Sequence, residues 1–470
     1  MTEPRPNAVA HPAPPASPTN ADHIAVGIVA DDLTGGGDSA VQFARDGWRT
    51  RLLLTAPDSG LASHGTVLAV VSDARAQPAL LARPSTSEAV VALGNAGVNR
   101  LLLKIDSTMR GSAHAQILGA LDAWQKLHTA AFAVVCPAYP AMNRTVQNGR
   151  VLVNGQGVET TAAGTDPVTP VTTNLLSELV PGSVHVALDN GTASDHAKQL
   201  RVAAQNPTRV VTVDAATDAD ILTLAEAVAL LGPEAIPVGS AGLAVALSRV
   251  WCHDLAVPAE PAPVRAARVV VVLSSLHDIS RSQYDHLVGV TPPQHVRTFA
   301  PSLNVFLEPG AIGLWIAGEL AATPHLPAIV IVATPSERPD AATAPTTTET
   351  GTETGTETAA ETATVIIADG LATITAALFA HRSVGALVLM GGEGARAVLN
   401  RFDAGAIVVT DAIREGIPVG LIDGGLADGL TVVTKAGGFG ATSSIADILP
   451  QLLADHVLSP TANPNTGVHP

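Results

Sequence analysis

The chain has 470 residues, of which 47% are hydrophobic and 14% charged, and its formal net charge is −16. This composition predicts a globular protein of two or three domains with substantial cores. The negative charge argues against a nucleic-acid partner, because phosphate binding needs clustered lysine and arginine. With only Cys136 and Cys252, neither a disulfide framework nor a thiolate metal site is supported, and a cytoplasmic location is the simpler expectation.

Both ends of the chain are predicted to be disordered tails, over residues 1–22 and 457–470. The first is rich in proline and small residues and lacks the apolar core of a signal peptide. No uninterrupted apolar run reaches the about 18 residues of a membrane span, so no membrane partner is expected. The sequence is compatible with a homo-oligomer.

The first informative stretch is Ile24 to Ala40, with the sequence IAVGIVADDLTGGGDSA. Its apolar start predicts a buried parallel strand, and Asp31 and Asp32 follow where such a strand opens into a ligand crevice. Two adjacent carboxylates there require a cation, a substrate hydroxyl or a shared proton to relieve their repulsion. The glycines at 35–37 predict a loop that approaches a ligand closely, before a helix that begins near Asp38.

Two other interpretations of this stretch remain open. Asp, Thr and Gly are common at turns and helix N-caps, so a purely structural loop explains much of the composition. Gly35, Gly37 and Ala40 also fit the dinucleotide fingerprint G-x-G-x-x-A, which would indicate a dinucleotide-dependent oxidoreductase. The fingerprint ranks last, because the two acids just before it would repel a pyrophosphate.

Further along, polar side chains follow two more predicted strands. A strand over residues 66–71 precedes Arg75, which either holds an anion or is a solvated loop arginine. The segment RLLLKIDSTMRGS, residues 100–112, contains two cations that could bind a carboxylate or a phosphate. Two hydroxyls and an acid lie beside them in the chain, and the acid could orient either cation. These residues are Lys104, Asp106, Ser107, Thr108 and Arg110. A helix predicted from Ala113 adds its N-terminus to the same site.

The rest of the first domain, predicted over residues 23–256, continues the alternation of strands and helices. A strand ending at Cys136 leads into a long irregular segment that includes Asn143 and Arg144, and loops of this length are often functional. Within it, residues 148–158 predict a hairpin with Asn154 and Gly155 in its middle. The segment PVGSAGLA, residues 237–244, predicts another strand that leads into a glycine-bearing helix start.

A proline-rich linker at residues 257–267 separates a second α/β domain, predicted over residues 268–456. Within that domain, residues 339–364 include a low-complexity Thr/Glu/Gly repeat without an apolar face, which we expect to be a mobile insertion, and a helix follows over about 369–381. Three turns after predicted strands suit a phosphate: Ser274–Ser275, Gly391 to Gly394, and residues 435–440 with Gly437. None of them is a Walker A loop.

Taken together, these motifs resemble the four-carbon acid sugar kinase family from about residue 24 to residue 453, outside the insertion. The matching segments are ADDLTGGGD, KIDSTMRGS, PAYPAMNRT, VGSAGLA, SSLHDISRSQ, MGGEGAR, REGIPVG and KAGGFG. The resemblance implies two α/β domains with mainly parallel sheets and an active site in the cleft between them. It further implies that ATP phosphorylates the terminal O4 hydroxyl of threonate, erythronate or 3-oxo-tetronate.

The resemblance also implies roles for individual residues. Asp31, Asp32 and Asp106 are the catalytic candidates, with Asp32 as the base. The small-molecule sugar acid would be bound by Arg75, Lys104, Ser107, Thr108 and Arg110. ATP would be held by Ser275, Gly391, Gly392, Glu393, Gly394 and Gly437, and Mg²⁺ would bridge its phosphates through ligands that the sequence does not identify.

Two positions depart from the family pattern. Ser274 stands where the family usually has glycine, and Gly394 stands where it usually has threonine, so a hydroxyl near the nucleotide is lost. These departures motivate an alternative in which the protein is a catalytically impaired regulator that still binds a sugar acid. The segment KIDSTMRGS resembles the threonate and erythronate kinases more than the 3-oxo-tetronate kinases, which implies a threonate or erythronate substrate.

Overall fold

The computed structural model describes residues 23–166, 168–188, 191–252, 265–335, 359–381 and 384–454. Residues 23–252 are called the first half below, and residues 265–454 the second half. The predicted tails, most of the predicted linker and residues 339–358 of the predicted insertion lie outside the described residues.

The first half alternates strands and helices along most of its length. Its strands are β1 (Val26–Ala30), β2 (Arg49–Leu53), β3 (Thr66–Val71), β4 (Arg100–Lys104), β5 (Phe132–Cys136), β6 (Arg144–Gln147), β7 (Arg150–Val153), β8 (Gln156–Gly157), β9 (Val184–Val186), β10 (Val210–Val213) and β11 (Ala235–Gly239). Its helices are α1 (Leu33–Arg45), α2 (Ala79–Ala96), α3 (Ala113–Trp124), α4 (Leu176–Leu179), α5 (Ala193–Ala203), α6 (Asp218–Leu231) and α7 (Ala241–Val250).

The second half repeats this pattern and ends in an antiparallel addition. Its strands are β12 (Val269–Leu273), β13 (Val296–Phe299), β14 (Ile329–Ala333), β15 (Ala386–Met390), β16 (Ala406–Arg414), β17 (Ile417–Asp423) and β18 (Thr431–Lys435). Its helices are α8 (Asp278–Val290), α9 (Leu303–Leu307), α10 (Ala311–Ala322), α11 (Ala359–His381), α12 (Gly392–Arg401) and α13 (Ser444–Leu452).

Among the described residues, the strands of both halves form one 15-stranded sheet in the order β13-β14-β12-β15-β18-β17-β16-β2-β3-β1-β4-β11-β5-β10-β9. Runs such as VGIVA in β1 and VVVVL in β12 are buried along their whole length, as expected for parallel strands covered on both faces. The halves join where β16 pairs antiparallel with β2, from Ala406 opposite Leu53 to Val409 opposite Thr50. The fold is therefore α/β with a mainly parallel sheet, as predicted.

In each half the chain reverses direction in the sheet next to its first strand, and this reversal positions the site. β1 lies between β3 and β4, and β12 lies between β14 and β15. In open α/β sheets, ligands bind beyond the carboxyl ends of strands at such reversals. The two reversals therefore place one crevice after β1 and β4 and another after β12 and β15.

Two predicted elements differ from the structure, and a third is extended by it. Helix α1 begins at Leu33 and not near Asp38, because the Asp32 side chain accepts a hydrogen bond from the Gly35 amide at 2.7 Å and so caps the helix. The predicted hairpin at residues 148–158 is confirmed as β7 and β8, which pair around Asn154 and Gly155, and β6, which begins at Arg144, adds a third strand to it. Residues 359–364, placed in the mobile insertion, form the first part of α11, whose alanines favour helix.

Helix α11 contains the one described segment, Ala363–Ala380, that is long and apolar enough to cross a membrane by length and composition. It packs against α10 and α12, and Leu371, Ile374 and Leu378 on it are fully buried in the core. Core helices of globular domains meet the same criterion, so this segment is explained by its packing.

Candidate active site

A cavity of about 790 Å³ lies between the two halves at the carboxyl ends of the strands. Most of its wall comes from the first half. The second half contributes His277 at the start of α8, Gly416 in the β16–β17 turn, and Ala436, Gly438 and Phe439 after β18. Among the predicted site residues, it is lined by Asp32, Arg75, Lys104, Asp106, Ser107, Thr108 and Arg110.

Arg75 relieves the repulsion between the two adjacent aspartates. Its Nε and Nη2 atoms donate to the two oxygens of Asp31 at 2.8 and 2.7 Å, and its Nη1 atom donates to Asp32 Oδ2 at 2.5 Å. Burial raises the pKa of Asp31, against the opposing effect of Arg75. Asp31 is 1% exposed and does not line the cavity, so its position suits it to hold Arg75.

Asp32 is bound on both carboxylate oxygens. Oδ1 accepts from the Gly35 amide, and Oδ2 accepts from Arg75 and from the Thr34 hydroxyl at 3.0 Å. Burial by itself would raise the pKa of Asp32, but Arg75 and Lys104 outweigh it and lower the pKa. Asp32 therefore caps helix α1 and also lines the cavity, so the structural and the functional interpretations of this residue are compatible.

A second arginine is also matched by two acids. Arg110 donates to both oxygens of Asp106 at 2.8 and 3.1 Å and to Asp166 Oδ2 at 3.0 Å. Asp106 also accepts a hydrogen bond from the Thr108 hydroxyl. Despite its burial, Arg75 and Arg110 hold the pKa of Asp106 well below its usual range. The positive charges of Arg75 and Arg110 are therefore each balanced by neighbouring carboxylates.

Lys104 is the contrasting cation. It is the last residue of β4 and is 5% exposed, yet within the described part of the chain its ammonium makes no hydrogen bond or ion pair. A Cβ atom built on Gly35 would lie 2.7 Å from Lys104 Nζ and 2.5 Å from Asp32 Oδ1. Glycine at position 35 is thus required for the ammonium to sit against the start of α1, beside the cavity.

The cavity also includes residues that the sequence motifs did not assign to a site. Arg144, noted only as part of a long loop, lines the cavity, and its buried Nε atom has no hydrogen-bond partner among the described residues. Tyr139 lines it too, and its hydroxyl donates to Glu415 Oε1 at 2.7 Å. Asp38 on α1 is a further lining residue. Asp38 belongs to the segment ADDLTGGGD, and this was the feature of the sequence that could have identified it as a site residue.

The predicted nucleotide residues come together at the carboxyl ends of β12, β15 and β18, which are neighbours in the sheet. The amides of Ser274 and Ser275 donate to the Met390 carbonyl oxygen at 3.0 and 3.2 Å. The Gly391 amide donates to the Lys435 carbonyl oxygen at 3.0 Å. Gly391 has a φ angle of 111°, which favours glycine. None of Ser275, Gly391 to Gly394 and Gly437 lines the 790 Å³ cavity, but Ala436 and Gly438, on either side of Gly437, do.

The two departures from the family pattern are in contact with each other. A Cβ atom built on Gly394 would overlap the Cβ atom of Ser274 and come within 2.6 Å of its Oγ atom. The Ser274 hydroxyl donates to the Met390 carbonyl oxygen at 3.0 Å. The side chain that is absent at position 394 is therefore replaced by one at position 274 in the same space.

With this geometry in place, comparison with known proteins is informative. Family models described as a sugar-binding N-terminal domain and a nucleotide-binding C-terminal domain match residues 26–247 and 270–445. A D-threonate kinase from Bordetella bronchiseptica is 38% identical over 422 residues, covering 88% of this chain and 94% of that protein. The chain belongs to the four-carbon acid sugar kinase family. It is accordingly a phosphotransferase that acts on an alcohol group of a sugar acid, with a nucleotide-binding second half.

Other relatives of this sugar kinase agree in family and differ in substrate. A D-threonate kinase from Cupriavidus necator is 30% identical, covering 89% of this chain and 95% of its own. A D-erythronate kinase from Heliobacterium modesticaldum is 26% identical, covering 91% and 96%. A solved structure from Salmonella typhimurium, described as a putative tRNA synthase, has a TM-score of 0.71 at 21% identity and covers 91% of this chain and 99% of its own, which shows the fold alone.

Family membership bears on the alternatives drawn from the sequence. The dinucleotide interpretation of Gly35, Gly37 and Ala40 is wrong for a kinase, and these residues lie within α1. The regulator interpretation stays a prediction: Ser274 fills the space beside Gly394, but its hydroxyl donates to the Met390 carbonyl oxygen.

Proposed function

We propose that the protein transfers the γ-phosphoryl group of Mg²⁺-ATP to the terminal O4 hydroxyl of a four-carbon sugar acid such as threonate or erythronate, in the cytoplasm. The observation that carries this proposal is Lys104. It is a buried ammonium without a hydrogen bond or ion pair among the described residues, beside a cavity that both halves line. Asp31, Asp32 and Asp38 interact with its charge but accept no hydrogen bond from it, so its N–H donors are available to the carboxylate of an anionic substrate.

Charge balance in the cavity indicates how the acid would bind. Arg75 and Arg110 are each matched by two carboxylates, whereas Lys104 and Arg144 have no paired carboxylate among the described residues. The substrate carboxylate is therefore suited to Lys104, Arg144 or both, in charge-assisted hydrogen bonds. Hydroxyls of the substrate would meet Ser107, Asn154 and Gln156, which line the same cavity.

The second half would bind the triphosphate through backbone amides at Ser275, Gly391 to Gly394 and Gly437. Glycines and a helix start suit phosphate because their amides are accessible to it. No group of three or more His, Cys, Asp or Glu side chains suited to a metal ion occurs among the described residues. Mg²⁺ would be carried on the phosphates, where it would neutralise charge during transfer, since Mg²⁺ keeps several waters and needs few protein ligands.

Of the roles in the reaction, that of the catalytic base is the one that the sequence constrains least. Asp32, the residue chosen from the sequence, stays a prediction. Its carboxylate is bound by Arg75, Thr34 and Gly35, and its pKa is lowered. A carboxylate with those partners is suited to orienting Arg75 and a substrate hydroxyl more than to taking a proton.

The test is a coupled kinase assay with Mg²⁺-ATP and the stereoisomers of threonate, erythronate and 3-oxo-tetronate. We expect turnover with threonate or erythronate, and a ³¹P signal split by the terminal CH₂ protons of the product. Lys104→Met should raise KM for the acid about 10- to 100-fold, the value of a hydrogen bond to a charged group. Lys126→Met, at an exposed site outside the cavity, is the matched control. No turnover with any acid, or an unchanged KM in Lys104→Met, would contradict the proposal.

A further inference from the structure

Among the described residues, one carboxylate in the cavity wall makes no hydrogen bond or ion pair. Asp32, Asp38, Asp106 and Asp166 line the cavity wall. Asp32 and Asp106 are bound by arginine and hydroxyl groups, and Asp166 by Arg110 and by the amides of Val168 and Thr169. The Asp38 side chain makes no hydrogen bond or ion pair with any residue in the described ranges. Its oxygens are therefore available to a substrate.

The position of Asp38 suits the reacting end of the substrate. It lies three and four residues after Gly35 and Thr34 on α1, so the three residues share the helix face that lines the cavity. Asp38 interacts electrostatically with both Lys104 and Glu415. Glu415 is in the β16–β17 turn, next to the second-half lining residue Gly416. Asp38 is thus close both to Lys104 and to the turn that supplies part of the second-half wall.

We propose that Asp38 is the general base of the kinase reaction. This inference rests on the proposed function. As the O4 oxygen of the sugar acid forms its bond to the γ-phosphorus, the bond from that phosphorus to the β,γ-bridging oxygen breaks and ADP leaves. The O4 proton passes to the Asp38 carboxylate and then to water. Lys104, close to Asp38, would keep the substrate anion oriented while the proton moves.

The electrostatic surroundings support this role. Burial, Glu415 and Asp32 raise the pKa of Asp38 to about 6, against the lowering effect of Lys104 and Arg45. Tyr139, after β5, also interacts with Asp38, and His277 of the second half lines the same cavity. Asp38 is therefore ionised at neutral pH, yet holds a proton more strongly than Asp32 or Asp106, whose pKa values are lowered. Catalytic bases work best when their pKa lies near the working pH.

Asp38→Asn tests the proposal because it keeps the size of the side chain and removes its basicity. We expect kcat to fall about 100-fold or more, the usual effect of losing a general base. The dissociation constant of the sugar acid, measured by calorimetry, should stay the same or decrease, and circular dichroism should show an unchanged fold. Asp32→Asn is the comparison variant. It removes a partner of Arg75 and the α1 cap, so it should raise KM and lower thermal stability.

The pH profile separates a base from a residue that only shapes the site. Wild-type kcat/KM should fall below about pH 6 with a slope of one, and this limb should be absent in Asp38→Asn, retained in Asp32→Asn and restored in Asp38→Glu. An Asp38→Asn variant that keeps its kcat within about threefold, or keeps the acid limb, would overturn the role of Asp38 alone. Wild-type protein without turnover on any of the acids would overturn the proposed function and this role with it.

Discussion

The Ser274 side chain and any side chain at position 394 compete for the same space. We predict that Gly394→Thr alone lowers kcat/KM for ATP about 5- to 100-fold, because overpacking at a tight contact costs about 1–3 kcal/mol. The double variant Ser274→Gly with Gly394→Thr should recover most of the loss, because the added side chain then has room. Steady-state kinetics with ATP as the varied substrate measure both.

Ser274→Gly alone completes this double-mutant cycle. It should have a smaller effect than Gly394→Thr, because it removes one hydrogen bond to the Met390 carbonyl oxygen and creates no overlap. If the two substitutions have additive effects, the two positions are independent, and the proposed exchange of one side chain for the other is wrong.

At the scale of single residues, the sequence predicted much of the cavity wall. Lys104, Asp106 and Arg110 lie close together in the chain at the end of a buried strand, so the sequence alone predicts that they are neighbours. Asp38 was missed for a physical reason. Which side of α1 Asp38 occupies depends on where the helix begins. The sequence analysis placed that beginning near Asp38 and not at Leu33, so it could not predict that Asp38 faces the cavity. Arg144 was noted but not assigned, because the path of its loop is set by tertiary contacts.

Among the structural elements, the β16–β17 turn has the most direct effect on the site. Glu415 in this turn accepts hydrogen bonds from Arg45, Gln42 and the Tyr139 hydroxyl, all in the first half. The sequence marked REGIPVG as a turn but gave no sign that it contacts α1, because residues 42 and 415 are far apart in the chain. This contact brings a second carboxylate near Asp38.

We predict that Glu415→Gln moves the acid limb of kcat/KM to lower pH, by a few tenths of a unit to about one unit. The sign follows from like charges: Glu415 raises the pKa of Asp38, so removing its charge lowers that pKa. Asp411→Asn is the matched control, since Asp411 also pairs with Arg45, at 3.1 Å, but is 65% exposed. The measurement is the pH profile of kcat/KM for the wild type, Glu415→Gln and Asp411→Asn, and only Glu415→Gln should show the shift. A limb that moves to higher pH in Glu415→Gln would contradict the assignment of that limb to Asp38.

For the whole molecule, the sequence predicted two α/β units but not their union in one sheet. The strand runs and glycine turns are local signals, and they identify each unit separately. The pairing of β16 with β2 joins residues more than three hundred positions apart, with no periodicity to mark it. One core cluster nevertheless extends from Val26 in β1 to Val432 in β18. The halves are therefore connected by a continuous sheet and a shared core, and we expect small displacements at this connection to reach the site.

Two buried isoleucines allow this connection to be tested. Ile407 lies in β16 opposite Leu52 at the junction, and Ile331 lies in β14, away from the cleft; they are 4% and 0% exposed. Replacing either with alanine should cost about 2–4 kcal/mol of unfolding free energy, measured in denaturant. Only Ile407→Ala should also lower kcat/KM, by about 10-fold or more, because it shifts one half of the site against the other and phosphoryl transfer depends on alignment. Ile331→Ala controls for the loss of stability itself. Equal kinetics in the two variants would mean that the β16–β2 ladder holds the protein together without aligning its active site.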